Sequence, residues 1–285
     1  MLTFTQAILF GIVQGITELF PISSLGHSVI LPGLLGWHVN QSDPFFLTFL
    51  VATHAATALV LFLFFIRDWK LIILGLIRSL KEREIKESDT YAKLAWLLVI
   101  GTIPAGALGL LFEESLKKLF ASPQLVAGTL IINGLILIAA EVLRRKKKEN
   151  IQTGSDMRIA KLSWLQAIKV GCMQAIALIP GFSRTGSAIT GGLLVGLSHE
   201  DSARFSFLLA TPIIGAAAIL KLPELANQQE ASMLPQILVG AVFAGIFAYL
   251  SVKFLTKYFE TKTLAPFAIY CIIAGVVSLL ILFSR

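Results

Sequence analysis

The sequence is poor in charge. Of its 285 residues, 14% are charged and 56% are hydrophobic, and the mean hydropathy is +0.80. A soluble domain carries about 25% charged residues. This shortage excludes a soluble enzyme, a coiled coil and a disordered chain. The sequence therefore predicts an integral membrane protein.

Cysteine is also scarce. Cys172 and Cys271 both lie in apolar runs. Two such residues are too few for a disulfide-stapled secreted domain or a cysteine metal centre. The net charge is +7, but the basic residues lie between apolar runs. In a membrane protein this pattern reports orientation, so we expect no nucleic-acid partner.

Six apolar stretches are long enough to cross a bilayer, which takes about 20 residues. They are 46–66, 94–112, 125–143, 203–221, 237–257 and 264–283. Two further stretches, 4–37 and 164–197, are interrupted by proline, glycine and hydroxyl residues. We predict a re-entrant helical hairpin in each, with two crossings joined by a tight turn as the alternative. The predicted fold is one all-α, multi-pass membrane domain over 1–285.

Basic residues predict the orientation. The segments 67–93 and 144–161 are rich in lysine and arginine, so the positive-inside rule places both in the cytoplasm. The basic run 144–148 is expected to touch anionic lipid head groups. With this orientation, hairpin 4–37 enters from the outer face and hairpin 164–197 from the inner face.

The two hairpins resemble each other in sequence. Six residues of the first recur 160 positions later: Gln6, Ala7, Ile8, Gly11, Gln14 and Ile16 match Gln166, Ala167, Ile168, Gly171, Gln174 and Ile176. Three spans, an odd number, follow each hairpin, so the half at about 160–285 is inverted relative to the half at about 1–145. Inverted repeats form substrate sites near the midplane, at broken helices. We therefore expect the hairpin tips to meet.

The tips carry ionisable residues, which inside a membrane are functional candidates. The first tip has Glu18 and His27, and the second has Arg184. Arginine grips phosphate oxygens with a planar fork, and a serine or histidine nucleophile needs a neighbouring base. This set predicts cleavage of a phosphate ester or phosphoanhydride. A purely structural Glu–Arg ion pair is the alternative.

Further polar residues complete the candidate site. They are Gln14, Ser23, Ser24, His54, Ser183, Thr185, Gly186 and Thr190. Ser24 is a candidate nucleophile, whereas Ser23 suits either a helix cap or a phosphate ligand. His54 lies in the middle of a span, and both a direct and a structural role are open. Glu18 is a candidate ligand of a divalent cation.

Two segments resemble a known family. GIVQGITELFPISSLGH at 11–27 and PGFSRTGSAIT at 180–190 are similar to the signature segments of bacterial undecaprenyl-diphosphate phosphatases of the bacitracin-resistance type, and so is ARFSFLLATP at 203–212. The resemblance implies a hydrolase of the bacterial inner membrane. Such an enzyme removes the terminal phosphate of a C55 isoprenoid diphosphate, which recycles the lipid carrier for cell-wall synthesis and confers bacitracin resistance.

The resemblance also implies roles for residues. Active-site positions of the family match Glu18, Ser24, His27 and Arg184, and its phosphate motif matches Ser183, Thr185 and Gly186. A divalent cation, Mg²⁺ or Ca²⁺, is expected from the family. The family pattern has a second glutamate where this chain has Gln14, which weakens a metal site built on two carboxylates.

A mechanism is expected from these features. The head group of the lipid reaches the hairpin tips from the outer leaflet while its tail stays in the bilayer. Arg184 holds the phosphates, Ser24 or a water molecule attacks, and His27 transfers protons. The resemblance also leaves His27 open as the nucleophile. The rival hypothesis is a transporter or lipid flippase that binds a phosphorylated substrate without hydrolysing it.

Overall fold

The structure is a computed structural model that describes residues 2–37, 39, 43–112, 122–144, 154–221 and 233–284. Within these ranges every regular element is a helix and none is a strand. The all-α fold class predicted from the sequence is therefore confirmed.

The helices of the described ranges are numbered in chain order. They are α1 (Phe4–Thr17), α2 (Ser24–Leu35), α3 (Pro44–Phe64), α4 (Ile66–Glu82), α5 (Thr90–Leu111), α6 (Pro123–Leu143), α7 (Ser155–Ala160), α8 (Trp164–Ala175), α9 (Arg184–Leu194), α10 (His199–Lys221), α11 (Leu234–Tyr258) and α12 (Ala265–Phe283). A turn of 3₁₀-helix, Ile176–Leu178, follows α8.

Six of these helices, α3, α5, α6, α10, α11 and α12, are long and apolar enough to cross a membrane. They coincide with the six predicted spans to within four residues at either end. Proline stands in the first turn of α6, α11 and α12. It is tolerated there because the first N–H groups of a helix have no intrahelical partner. The prediction of six spanning helices is confirmed.

The two interrupted stretches form pairs of short helices. Helices α1 and α2 have 14 and 12 residues and pack against each other, and α8 and α9, with 12 and 11, do the same. At about 1.5 Å per residue, none of them crosses a hydrocarbon core of about 30 Å. The predicted breaks are therefore real. That the hairpins re-enter the membrane from opposite faces stays a prediction.

The first helices of the two hairpins begin with the same capping box. At α1, Thr3 Oγ1 accepts from the N–H of Gln6 at 3.2 Å, and Gln6 Oε1 accepts from the N–H of Thr3 at 2.9 Å. At α8, Ser163 and Gln166 make the same two bonds at 3.2 and 2.8 Å. Reciprocal caps satisfy backbone donors at a helix start. The recurrence of Gln6 as Gln166 thus has a local structural cause.

A second repeated contact joins the hairpins to the spanning helices. Helix α1 packs against α11, and α8 packs against α5. A Cβ on Gly11 would lie 2.3 Å from the carbonyl oxygen of Gly240, and one on Gly171 would lie 2.4 Å from that of Gly101. Only glycine permits such close backbone approach. The recurring sequence therefore builds the same glycine contact twice.

Helix α4 lies in the segment 67–93, for which the sequence indicated only a charged connection. It packs on α5 through Gly75, where a Cβ would lie 2.5 Å from the backbone nitrogen of Ala92. Ile73 and Ile77 are exposed on its outer side. Apolar residues at spacings of three and four favour a helix with one apolar stripe, so much of this segment is an amphipathic helix.

Salt bridges connect α4, α7 and α10. Arg204 of α10 lies 2.9 Å from Asp68 and 2.7 Å from Asp156. Arg158 lies 2.7 Å from Asp201. These pairs fix the start of α10, the span that follows the second hairpin.

Candidate active site

The two hairpin tips meet through an ion pair. Glu18, directly after α1, accepts a hydrogen bond on Oε1 from Nη2 of Arg184, the first residue of α9, at 2.8 Å. The side chains are 6% and 14% exposed. Residues 166 positions apart therefore share one buried contact. The structure brings together the carboxylate and the guanidinium that the sequence predicts to meet.

Hydrogen bonds from side chains to the backbone hold the two hairpin tips together. Thr185 Oγ1 donates to the carbonyl oxygen of Glu18 at 2.9 Å. Asn133 of α6 accepts from the N–H of Ser183 at 3.0 Å and donates to the carbonyl oxygen of Pro21 at 3.1 Å. Asn133 was not among the residues predicted for the site. Its signal was available, because a buried amide within an apolar span is costly unless it has a structural or functional use.

Ser24 donates a short hydrogen bond from Oγ to Oε2 of Glu18. Its direction is fixed because an ionised carboxylate only accepts. Ser24 and Glu18 are each 6% exposed. A hydroxyl bonded to a buried carboxylate is the arrangement of a nucleophile and its base.

His54 lies at the same carboxylate. Its Nε2 is 3.2 Å from Oε2 of Glu18, and its Nδ1 donates to the carbonyl oxygen of Leu50 at 2.7 Å. Gln14 Nε2 also donates to Oε2 of Glu18, at 3.2 Å. The sequence left the role of His54 open, and the structure places it in the cluster with Glu18.

His27 makes its hydrogen bonds elsewhere. Nδ1 donates to the carbonyl oxygen of Ser23 at 2.6 Å, and Nε2 lies 2.8 Å from the hydroxyl of Tyr270 on α12. The His27 and Tyr270 rings are stacked with centroids 5.7 Å apart. Neither bond goes to Glu18. Because His27 follows Ser24 by three residues on α2, the two side chains still share one face of that helix.

Serine caps begin α2 and α9. Ser23 Oγ accepts from the N–H of Gly26 at 3.1 Å, and Ser183 Oγ accepts from that of Gly186 at 3.0 Å. Ser23 has a φ of 70°. That left-handed conformation is uncommon for residues other than glycine and costs of order 1 kcal/mol. Both serines thus have a structural use, and a phosphate-binding role for them stays a prediction.

The turn before α9 depends on one glycine. Gly181 has a φ of 96°, and a Cβ there would lie 1.9 Å from Oγ1 of Thr129. Thr129 in turn donates to the carbonyl oxygen of Pro180 at 2.5 Å. Glycine is required here both for its backbone conformation and for space. The turn places Arg184 at the first position of α9.

Two buried polar atoms beside Glu18 have no hydrogen-bond partner within the described ranges. They are Nη1 of Arg184 and Oε1 of Gln14. An unpaired buried donor costs about 1–3 kcal/mol, so Nη1 is primed to bind an oxygen acceptor. Oγ1 of Thr190 is likewise buried without a partner there, but no described contact joins Thr190 to Glu18.

The residues around Glu18 do not fit a preformed divalent-cation site. No group of three or more His, Cys, Asp or Glu side chains gathers in a ligating arrangement within the described part of the chain. Arg184 occupies Oε1 of Glu18, and Ser24, Gln14 and His54 all contact Oε2. A cation would have to displace these contacts and lie beside a guanidinium.

Known proteins are similar to this chain along its whole length. A sequence model of the family described as Bacitracin resistance protein BacA matches residues 7–277. The undecaprenyl-diphosphatase of Mycolicibacterium paratuberculosis is 44% identical, with 100% of this chain and 99% of that protein aligned. Undecaprenyl-diphosphatase 2 of Chromobacterium violaceum is 45% identical, with 96% and 97% aligned. Undecaprenyl-diphosphatase of Acidiphilium cryptum is 44% identical, with 97% of each chain aligned.

Proposed function

The chain belongs to the bacitracin resistance protein BacA family, and we propose that it hydrolyses undecaprenyl diphosphate to undecaprenyl phosphate and inorganic phosphate. The family membership confirms the resemblance carried by the two signature segments. The observation that carries the proposed chemistry is the contact of Glu18 with both Ser24 and Arg184. It joins a nucleophile, a base and a phosphate-binding cation in one buried cluster.

In the proposed reaction, Oγ of Ser24 attacks the terminal phosphorus and its proton passes to Oε2 of Glu18. The bond from that phosphorus to the bridging oxygen breaks, and undecaprenyl phosphate leaves. Water then hydrolyses the phosphoserine and releases inorganic phosphate. A water molecule deprotonated by Glu18 is the alternative nucleophile, with the proton going to the same oxygen.

Arg184 supplies the phosphate-binding charge in this proposal. Its Nη2 is bonded to Glu18, and its buried Nη1 is without a partner among the described residues. A guanidinium remains protonated under all physiological conditions and binds phosphate oxygens through a rigid fork. One edge of the fork therefore keeps the carboxylate in place while the other binds the terminal phosphate and stabilises the charge that develops there.

We assign to His27 the uptake of a proton from the water molecule that hydrolyses the phosphoserine. His27 stands one helical turn after Ser24 on α2 and keeps Nδ1 bonded to the backbone. Its Nε2 is then the nitrogen that exchanges a proton during turnover. His54 and Gln14, both bonded to Glu18, orient the carboxylate.

A divalent cation enters the proposal with the substrate. The contacts of Glu18 leave little capacity for a resident ion. Mg²⁺ is commonly bound by one or two carboxylates together with the phosphates of a substrate. We therefore expect any cation to arrive bound to the diphosphate.

We place the protein in the bacterial cytoplasmic membrane, with the site opening to the outer face. Six apolar spans and the basic segments support this placement. The isoprenoid tail stays in lipid. The run 144–148 lies mostly outside the described residues, but α4 carries exposed Lys70 and Lys81 next to its apolar outer side. We propose that α4 rests on anionic head groups.

Phosphate release by purified protein in detergent tests the proposal, because no gradient exists to drive transport. We expect release from undecaprenyl diphosphate, and loss of release in Arg184→Ala and His27→Ala protein that remains folded. Binding of the diphosphate without release would favour the rival transporter or flippase. Near-normal turnover in either variant would remove that residue from the catalytic set.

A second measurement identifies the nucleophile. If Ser24 attacks, rapid quenching of wild-type protein with substrate labelled in the terminal phosphate will trap label on the protein. Ser24→Ala will then abolish both the label and turnover. Turnover that persists in Ser24→Ala without labelled protein would assign the attack to water.

A further inference from the structure

Ser23 and Tyr270 each contact one nitrogen of the His27 ring. A carbonyl oxygen only accepts hydrogen bonds, so Nδ1 of His27, 2.6 Å from the carbonyl of Ser23, carries a proton. In the neutral ring, Nε2 is then the acceptor, and the Tyr270 hydroxyl, 2.8 Å away, is its donor. The near-parallel rings, inclined by 12°, add a second constraint. These contacts select one tautomer and one ring orientation.

Tyr270 has exposed apolar neighbours on its helix. The residue is 44% exposed on α12, between Ile269 and Ile273, which are 55% and 58% exposed. This side of α12 is apolar and suited to lipid. The hydroxyl nevertheless bonds a polar partner, His27 on α2. Tyrosine suits such a position, because its ring is apolar while its hydroxyl can bond a polar partner.

Among the described titratable residues near α2, Tyr270 is the one that bonds the His27 ring. Helices α1, α6 and α12 pack against α2. Together with the residue that directly follows each of them, they carry the titratable residues Glu18, Glu141, Arg144, Tyr270 and Cys271. Glu18 bonds Ser24, and Glu141 accepts from His199 at 2.7 Å. Tyr270 is the member of this set that bonds the His27 ring.

We propose that Tyr270 is a positioning residue for the phosphatase reaction. It holds His27 with Nε2 unprotonated and correctly oriented, so that this nitrogen is available when the head group arrives. The inference rests on the proposed function, because it requires His27 to transfer a proton during hydrolysis. Nothing in the sequence signalled Tyr270, which reads as one aromatic residue in an apolar span.

Tyr270→Phe is the direct test, since it keeps the ring and removes the hydroxyl. We expect kcat/KM to fall roughly three- to tenfold, the size of one neutral hydrogen bond, with kcat carrying the fall. The hydroxyl favours the neutral imidazole. Its loss therefore favours the protonated form, and the acidic limb of the pH profile of kcat/KM moves to higher pH.

Tyr249→Phe is the matched control. Tyr249 is 47% exposed on α11, with its ring against Phe64, and we expect unchanged kinetics. In a His27→Gln background, measured at higher enzyme concentration, adding Tyr270→Phe should cause no further loss. The assignment would be overturned if Tyr270→Phe lowered kcat/KM equally in the wild-type and the His27→Gln background. It would also be overturned if Tyr270→Phe left both kcat/KM and the acidic limb unchanged.

A measurement that does not depend on phosphate release tests the role of Tyr270 separately from the proposed function. Nitrogen-15 signals of histidine-labelled protein report which ring nitrogen carries the proton. We expect the Nδ1–H tautomer for His27 in wild-type protein and a changed Nε2 signal in Tyr270→Phe. The Nε2–H tautomer in wild-type protein would refute the positioning role, whereas a wild-type protein that releases no phosphate would refute the proposed function.

Discussion

Ser24 and Glu18 are joined across the break between α1 and α2, with the hydroxyl of the first donating to the carboxylate of the second. The break exists because Pro21 and the left-handed Ser23 stop one helix and let the next begin. The residue that starts α2 is thereby turned toward the residue that follows α1. The interrupted helix thus creates the contact of Ser24 with Glu18 as well as the hairpin.

Glu18→Gln tests the base. The change keeps the size of the side chain but removes the charge that accepts the Ser24 proton. We expect kcat for phosphate release to fall about 10²- to 10⁴-fold, as for loss of a general base. Glu260→Gln is the control, because Glu260 is exposed, and it should retain wild-type turnover. Wild-type kcat in Glu18→Gln would exclude Glu18 as the base.

His54→Ala tests the orientation of the carboxylate. It removes the contact of Nε2 with Oε2 of Glu18 but keeps the Ser24 and Gln14 contacts. We expect kcat to fall roughly 10- to 100-fold, the size of one hydrogen bond to a charged group. His54→Gln retains a side-chain donor and should recover part of the loss. A His54→Ala protein with unchanged kcat would show that His54 only fills space.

Gln14→Glu tests the metal hypothesis. A second carboxylate would stand beside Glu18, at a position that is 1% exposed. If a cation approaches this cluster, the Mg²⁺ concentration for half-maximal phosphate release should fall. Gln124→Glu, on the exposed first turn of α6, adds the same charge and should leave that concentration unchanged. An unaltered Mg²⁺ dependence in Gln14→Glu would mean that the cation does not contact residue 14.

Gly171→Ala tests the close contact of α8 with α5. Its Cβ would collide with the Gly101 carbonyl oxygen at 2.4 Å. Overpacking of this kind costs about 1–3 kcal/mol, so the thermal unfolding temperature in detergent should fall. Gly128→Ala is the control, since nothing lies within 4 Å of its Cβ position. Equal unfolding temperatures for Gly171→Ala and wild type would show that the helices separate at little cost.

The spans could be predicted because hydropathy and length alone define them. The breaks were equally visible, since proline, glycine and hydroxyl residues interrupt 4–37 and 164–197. Helix α4 was not predicted. The basic residues of this segment predicted a charged cytoplasmic connection. The apolar stripe becomes evident only when the residues are placed on a helix.

The site could be predicted only in part. Glu18, Ser24 and Arg184 stand at the interruptions, so their sequence context marked them. His54 contacts Glu18 from α3, and Asn133 contacts the backbone of both tips from α6. No short-range pattern connects either residue to the tips. His27 shows the converse: it lies three residues after Ser24 in sequence, but its ring bonds Tyr270, which lies 243 positions away. Contacts of this range depend on how the helices pack.

The burial of Glu18 and Ser24, each 6% exposed, has a kinetic consequence. A head group cannot reach a carboxylate that is enclosed by its own neighbours. If Glu18 is the base, as proposed, the hairpin tips have to separate before a head group reaches it, and the frequency of that separation then limits turnover.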